Sequence, residues 1–237
     1  MMVDLEIAVQ DVAGVRAALE GGATRVELCT ALGVGGLTPS MGTVQLAVDV
    51  APEGYVQVLV RNRGGGYVYS DDDVRTMCAD IAALRGTGVG GVVVGALTPD
   101  GRIDLAALER FVDAAGELPV TFHRALDASS DALAELARLE GTGVGRVLTS
   151  GGAVRSIQGV EMLANMVRQA PDGVQIMAGG GVRVEDIPAL LATGIAAVHL
   201  SARTSYVDPH PAGPGGGAQA LDATDSGIVA AARRAMK

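Results

Sequence analysis

The chain has 237 residues, 49% of them apolar and 3% aromatic with no tryptophan, and it carries 27 acidic against 18 basic side chains for a formal net charge of −9. So acidic a chain lacks the clustered positive charge that a nucleic-acid groove or an anionic membrane surface demands, and neither is an expected partner. No apolar run approaches the length of a membrane span, the start MMVDLEIAVQD lacks the regions of a secretory signal, and the two cysteines form no CxxC pair, so a reducing cytoplasm is the expected setting.

Strand patterns then recur at regular intervals along the chain. VDLEIAV from Val3 is the first and TRVELC from Thr24 the second, with a helical stretch from Asp11 to Glu20 between them. Alternation in TRVELC puts Arg25, Glu27 and Cys29 on one face and Val26 and Leu28 on the other. YVQVLVR from Tyr55 is the third and reaches Arg61, with Arg63 two residues on; Ser70 and three aspartates then announce a helix from Asp71 to Leu84. GGVVVGAL from Gly90 is the continuous apolar run of a strand buried on both faces, and Asp104 opens a helix from Leu105 to Ala115. LPVTFHR from Leu118 is the fifth strand and carries His123 and Arg124, with Asp127 just beyond and a helix from Ala132 to Leu139 following. GRVLTS from Gly145 runs into the glycine-rich end Thr149 to Gly152, before a helix from Val160 to Gln169. VQIMAGG from Val174 runs into a second glycine-rich end, Ala178 to Arg183, and Glu185 and Asp186 occupy the first turn of the next helix. AAVHLSA from Ala196 is the eighth strand and carries His199 and Ser201. The segment from Ser201 to Thr224 is rich in Pro and Gly, and is either a mobile surface loop or a functional lid, with His210 solvated in it.

One phrase repeats through this series. LRGTGVGGVVVG from Leu84 and LEGTGVGRVLTSGG from Leu139 are nearly the same, and LEGGATRVELC from Leu19 and LATGIAAVHLS from Leu191 echo them. Aligned on Gly22, Gly88, Gly143 and Gly194, each places a valine four residues later, at Val26, Val92, Val147 and Val198. Each copy reads as a helix ending on a left-handed glycine and a buried strand beginning. Eight strand and helix units of this size predict a closed parallel (β/α)8 TIM barrel spanning residues 1–237 as one domain; an open doubly wound sheet is the alternative, with fewer units and a single glycine-rich first turn.

Barrel enzymes place their chemistry where strands end. Alternation turns Glu6, Glu27, His123 and His199 into the barrel, where carboxylates and imidazoles must be paired or serve a site. They form either an ion-paired inner layer, with Arg61 or Arg63 neutralising Glu6 and Glu27, or an acid and base pair. The candidate catalytic set is Glu27, His123, His199, Arg61, Arg63 and Asp127. The two glycine-rich ends are candidate anion cradles, using Ser150, Gly151, Gly152, Gly179 and Gly180 with Arg183 and Ser201, although glycines there also serve tight turns. For a metal, His123, His199 and Glu27 suit zinc or copper(II), whereas copper(I) prefers thiolate, for which Cys29 is the candidate ligand or else a buried core residue. Cys78 lies in a predicted helix, and Met162 and Met166 share a helix face as core packing.

The segments RVELCTALGVGGLTPS, VRNRGGGYVYS, VTFHRALD, RVLTSGG, IMAGGGVR and VHLSA together resemble the CutC family, traditionally called copper homeostasis proteins, in order from Leu5 to Ala202. The resemblance implies a cytoplasmic barrel that assembles as a dimer or other homo-oligomer and is linked to copper tolerance and copper(I) binding. It also implies a site comprising Glu27, Cys29, Arg61, Arg63, Ser70, His123, Arg124, Asp127, Ser150, Gly151 and His199. Where the family reads close to RPRGGDFxYS, this chain has Asn62 for the proline and Gly66 for the aspartate. Two functions follow as expectations. One is a copper-handling protein with Cys29 as soft ligand; the other is an enzyme acting on a small polar or anionic, for example phosphorylated, metabolite by acid/base chemistry at the C-terminal mouth of the barrel.

Overall fold

Side-chain caps set most helix starts. Asp11 accepts from the Gly14 N–H at 2.7 Å to open α1 (Val12–Gly21), and Ser70 and Asp73 form a reciprocal capping box at the start of α3 (Asp71–Leu84). Ser40 opens α2 (Met41–Asp49), Asp104 opens α4 (Leu105–Ala115), and Asp131 opens α5 (Ala132–Ala137). A 3-10 turn leads into α6 (Val160–Gln169), another leads into α7 (Ile187–Leu191), and Asp225 caps α8 (Ser226–Ala235). The computed structural model describes residues 3–210, 213 and 220–237.

Between these helices, β1 (Asp4–Val9), β2 (Arg25–Leu28), β3 (Val56–Leu59), β4 (Gly91–Val94), β5 (Val120–Phe122), β6 (Val144–Thr149), β7 (Gln175–Gly179) and β8 (Ala197–Leu200) pair in parallel in chain order. β8 closes on β1, with Glu6 opposite both His199 and Arg25, so the sheet is a barrel with no open edge and the expected (β/α)8 TIM-barrel fold is present. Among the described residues no helix is long and apolar enough to cross a membrane.

The repeated phrase is the joint before each even-numbered strand. Gly22, Gly88, Gly143 and Gly194 all lie in the left-handed region, with φ of +85°, +92°, +86° and +86°. Outward-facing Val26, Val58, Val92, Phe122, Val147 and Val198 bury against the helix layer in one continuous core. Inside the barrel the apolar packing is confined to two small clusters, Cys29 with Leu59 and Val93, and Leu148 with Met177 and Ala197. Most of the remaining inward positions are polar, among them Glu6, Glu27, His123 and His199, and these make the site.

The segment after β8 differs from the loop expected of it. Residues Arg203–Val207 (β9) and Ala220–Thr224 (β10) pair as an antiparallel hairpin, Arg203 opposite Thr224 and Tyr206 opposite Leu221. The run RTSYV supplies β-branched and aromatic residues that the Pro and Gly content of the whole segment obscures. Residues 211–212 and 214–219 of that stretch lie outside the described residues.

Candidate functional site

The barrel's closing seam carries a buried charge network. Glu6, wholly buried, takes the Arg25 guanidinium on Oε2 and His199 Nδ1 on Oε1 at 2.7 Å. Burial pushes the Glu6 carboxyl up, but Arg25 and His199 outweigh it and hold the pKa at about 2. Burial pushes His199 the other way, yet its hydrogen bond to Glu6 and the charges of Glu27 and Glu6 leave its pKa raised.

Glu27 is the odd member. It is buried beside this network, its Oε2 has no hydrogen-bond partner among the described residues, and it faces the cavity. Burial, reinforced by the charge of Glu6 and opposed by His199 and Arg25, raises its pKa to about 7. Donor atoms of Glu6, Glu27 and His199 lie within 4.8 Å of one another. Among the described residues this is the one group of three or more His, Cys, Asp or Glu side chains so close, and it suits a hard or borderline divalent ion better than copper(I).

Across the mouth, His123 caps the 3-10 turn Arg124–Ala128, its Nδ1 accepting the Ala125 N–H at 3.1 Å. Its ring lies 5.0 Å from that of Tyr67, and burial together with the Arg61 charge lowers its pKa to about 3. Arg61 does not neutralise either glutamate. It is spent on main-chain carbonyls, Nη1 donating to Val34 at 3.0 Å and Gly36 at 3.1 Å and Nη2 to Gly65, with its cation 5.3 Å from the Tyr67 ring. It thereby ties the loop after β2 to the loop after β3. The expected pairing of Arg61 or Arg63 with Glu6 and Glu27 is thus replaced by Arg25, the in-register neighbour of Glu6 on β2.

Arg63 lies outside the cavity. Its Nε meets Asp73 at 3.2 Å, Nη2 donates to the Val68 carbonyl at 2.7 Å, and the cation stacks 4.8 Å from the Tyr69 ring. Asn62 donates to Asp73 at 2.6 Å; this bond first, and those from Ser70 next, hold Asp73 well below the usual carboxylate range. Nothing lies within 4 Å of where a side chain at Gly66 would begin.

The first glycine-rich end is an anion cradle already filled from within the chain. Asp127 Oδ1 accepts from Thr149 Oγ1 at 2.5 Å and from the Ser150 and Gly152 N–H groups at 3.1 Å. Its Oδ2 accepts from Ser150 N and Oγ and from Arg124 Nε at 2.8 Å. Gly151 turns its own N–H to Thr149 Oγ1 at 2.9 Å. The Asp127 carboxylate therefore occupies the donors of Ser150 and Gly152 that were expected to cradle an external anion, and Asp127 itself is not among the residues lining the cavity. Arg183 points away, 64% exposed with Glu185 3.9 Å distant, and Gly179 serves close packing, since a side chain there would begin 2.4 Å from Leu148.

The second glycine-rich end does open onto the mouth. Gly180, Gly181 and Val182 line one cavity of about 330 Å³ together with Glu27, Arg61, Tyr67, His123, His199 and Ser201. Gly180 must be glycine, because a side chain there would begin 2.8 Å from the Arg124 guanidinium carbon and its φ is +118°. Of the expected residues the structure gathers Glu27, His123, His199, Arg61, Gly180 and Ser201. Arg124, which the family resemblance implied, lines the cavity too, as do Tyr67 and Arg203, which were not in the expected set. Arg124 was legible beside His123 in the same strand end. Arg203 was hidden in the supposed loop, and Asp222 of the hairpin holds it at 2.6 Å.

Cys29 is fully buried among Leu59, Val93 and Leu32, its Sγ 3.6 Å from the Val9 carbonyl. Burial, with the Glu27 charge, pushes its thiol well up. No disulfide joins it to Cys78, whose Sγ lies 3.6 Å from the Arg110 carbonyl in the helix layer.

The CutC family model matches residues 3–204. A Mesorhizobium japonicum relative named as a family protein CutC is 46% identical over 199 residues, covering 84% of this chain and 77% of its own. A Photobacterium profundum protein of the same name is 40% identical over 206 residues, 86% of this chain and 84% of its own. A solved Streptococcus agalactiae structure, which bears the name of a copper homeostasis protein CutC, superposes with a TM-score of 0.78 at 31% identity, over 84% of this chain and 99% of that one.

Proposed function

This chain belongs to the CutC family, and from that premise and the geometry of its mouth we propose that it is an enzyme acting by acid/base chemistry on a small anionic metabolite. The observation that carries this reading is Glu27: a carboxyl with one oxygen unpartnered, titrating near neutral pH, on the wall of a cavity large enough for a metabolite. Arg124 and Arg203, each also paired with an aspartate (Asp127 and Asp222), bring guanidinium groups to the same cavity, and Gly180 to Val182 bring main chain to its surface, which favours a carboxylated or phosphorylated ligand. Glu27 would move the proton, with His199 and Glu6 setting its ionisation. The test is a screen of carboxylated and phosphorylated metabolites in D2O, reading deuterium incorporation at carbon by NMR. Exchange catalysed by the protein and lost in Glu27→Gln supports the reading; exchange that survives the substitution removes Glu27 from the chemistry.

The second reading, copper handling, is favoured by the name that the S. agalactiae protein bears. Copper(I) would be cargo, with Cys29 its soft ligand, although the burial that raises the thiol also resists the thiolate. A competition titration of the reduced protein against a copper(I) chelator decides it: tight binding lost in Cys29→Ser supports the role, and failure to compete sinks it. Both readings place the chain in a reducing cytoplasm, in keeping with two unbridged cysteines, and as a homodimer on the family resemblance; sedimentation measures the latter.

A further inference from the structure

His123 has a tautomer built into its backbone surroundings. Its Nδ1 accepts the Ala125 N–H at 3.1 Å, and a ring nitrogen that accepts carries no proton, so the proton of the neutral ring sits on Nε2. The ring position is enforced from both sides. Tyr67 packs at 5.0 Å, and the residue just after β4 is Gly95, where any side chain would begin 2.5 Å from Nδ1 and Cε1. Arg61, the charged group facing the ring, is held to three main-chain carbonyls and opposes a second proton on the imidazole. Nε2 is buried and has no hydrogen-bond partner among the described residues, although His123 is a wall of the cavity that also holds Glu27. A buried donor without an acceptor is costly in a folded protein, and a ligand oxygen would satisfy it.

We propose that His123 is a neutral Nε2–H donor to a carbonyl oxygen of the substrate, and that the substrate is a small anion whose carbonyl adjoins the carbon that Glu27 deprotonates. The inference rests on the acid/base reading of Glu27 and names its substrate class. In the step, the Glu27 carboxylate takes a proton from the carbon beside the carbonyl. The C–H electron pair becomes the C=C bond of an enolate, the carbonyl π pair moves to oxygen, and the Nε2–H hydrogen-bonds the resulting oxyanion without transferring its proton. Return of a proton from Glu27 to the same carbon re-forms the carbonyl and completes a hydrogen exchange in which nothing is oxidised or reduced. A neutral imidazole suits this role, since an imidazolium would surrender its proton whereas a neutral N–H of higher pKa matches an enolate.

The experiment uses the full chain labelled with 15N-histidine, with His123 assigned by its absence from His123→Phe. The inference expects the Nε2–H tautomer of His123 to persist unchanged from pH 5 to 8; an Nδ1–H tautomer, or titration in that range, overturns it. Being read on the unsubstituted protein, this result holds whether or not the variant folds. The second arm titrates 2-phosphoglycolate against ethyl phosphate, which lacks the carbonyl. Tighter binding of 2-phosphoglycolate by tenfold or more, with a downfield shift of the His123 Nε2 proton, supports the inference. Equal binding with that proton unmoved overturns the carbonyl contact while leaving an anion-binding mouth. Binding of neither overturns both the inference and the anionic-substrate reading beneath it.

Discussion

Glu6 on β1 and His199 on β8 meet at 2.7 Å, Oε1 to Nδ1, across the seam where the barrel closes. The contact joins residues from opposite ends of the barrel sequence and, with Arg25, leaves Glu6 ionised and Glu27 as the carboxyl that titrates near neutrality.

That division predicts a pH dependence of stability. Glu27 ionises at its usual 4.5 when unfolded and at about 7 when folded, so its stabilising contribution is complete below 4.5 and is lost as pH rises through 7. Glu6 has the opposite sign: lowered to about 2, it contributes above 4.5 and loses that contribution as pH falls towards 2. Glu27→Gln should abolish the fall on the neutral side, a slope of up to about 1.4 kcal/mol per pH unit between pH 5 and 7. Urea unfolding of both proteins at pH 5, 6, 7 and 8 checks this, and parallel curves would reject it.

The internal anion of the β6 end yields a second expectation. Asp127→Asn cannot offer two acceptor oxygens to the donors of Thr149, Ser150, Gly152 and Arg124, and should lower unfolding stability by about 2–4 kcal/mol. Denaturation midpoints measure it. An unchanged midpoint would mean that solvent serves these donors equally well.

At the join of the first and last helices, Gly21 lets α8 approach α1. A side chain there would begin 2.4 Å from Val229 Cβ and 2.8 Å from the Ser226 carbonyl. Gly21→Ala should cost about 1–3 kcal/mol by overpacking and speed amide exchange across α8 before it affects the strands. Hydrogen-exchange mass spectrometry resolves the two; uniform protection would show that the helices adjust without cost.

The cysteines should differ sharply in reactivity. Cys29 is fully buried and its thiol is pushed well up, while Cys78 is only partly covered. Native alkylation with iodoacetamide should modify Cys78 at least about tenfold faster than Cys29. Comparable rates would mean that the barrel interior opens readily, and would lend weight to Cys29 as a metal ligand.

Local rules in the sequence were enough for the architecture. Period-two alternation or continuous apolar runs located all eight barrel strands, alternation turned Glu6, Glu27, His123 and His199 inward, and the four repeated glycines marked joints whose positive φ depends only on the chain nearby. Partnerships were another matter. That Arg25 rather than Arg61 or Arg63 serves Glu6, that Asp127 fills the cradle of Ser150 and Gly152, and that Arg203 reaches the mouth from a hairpin were set by tertiary structure. The reason is physical: a charged group's partner is whichever opposite group barrel closure brings within hydrogen-bond reach. For Glu6 and His199 that neighbour lies 193 residues away, where no pattern along the chain can register it.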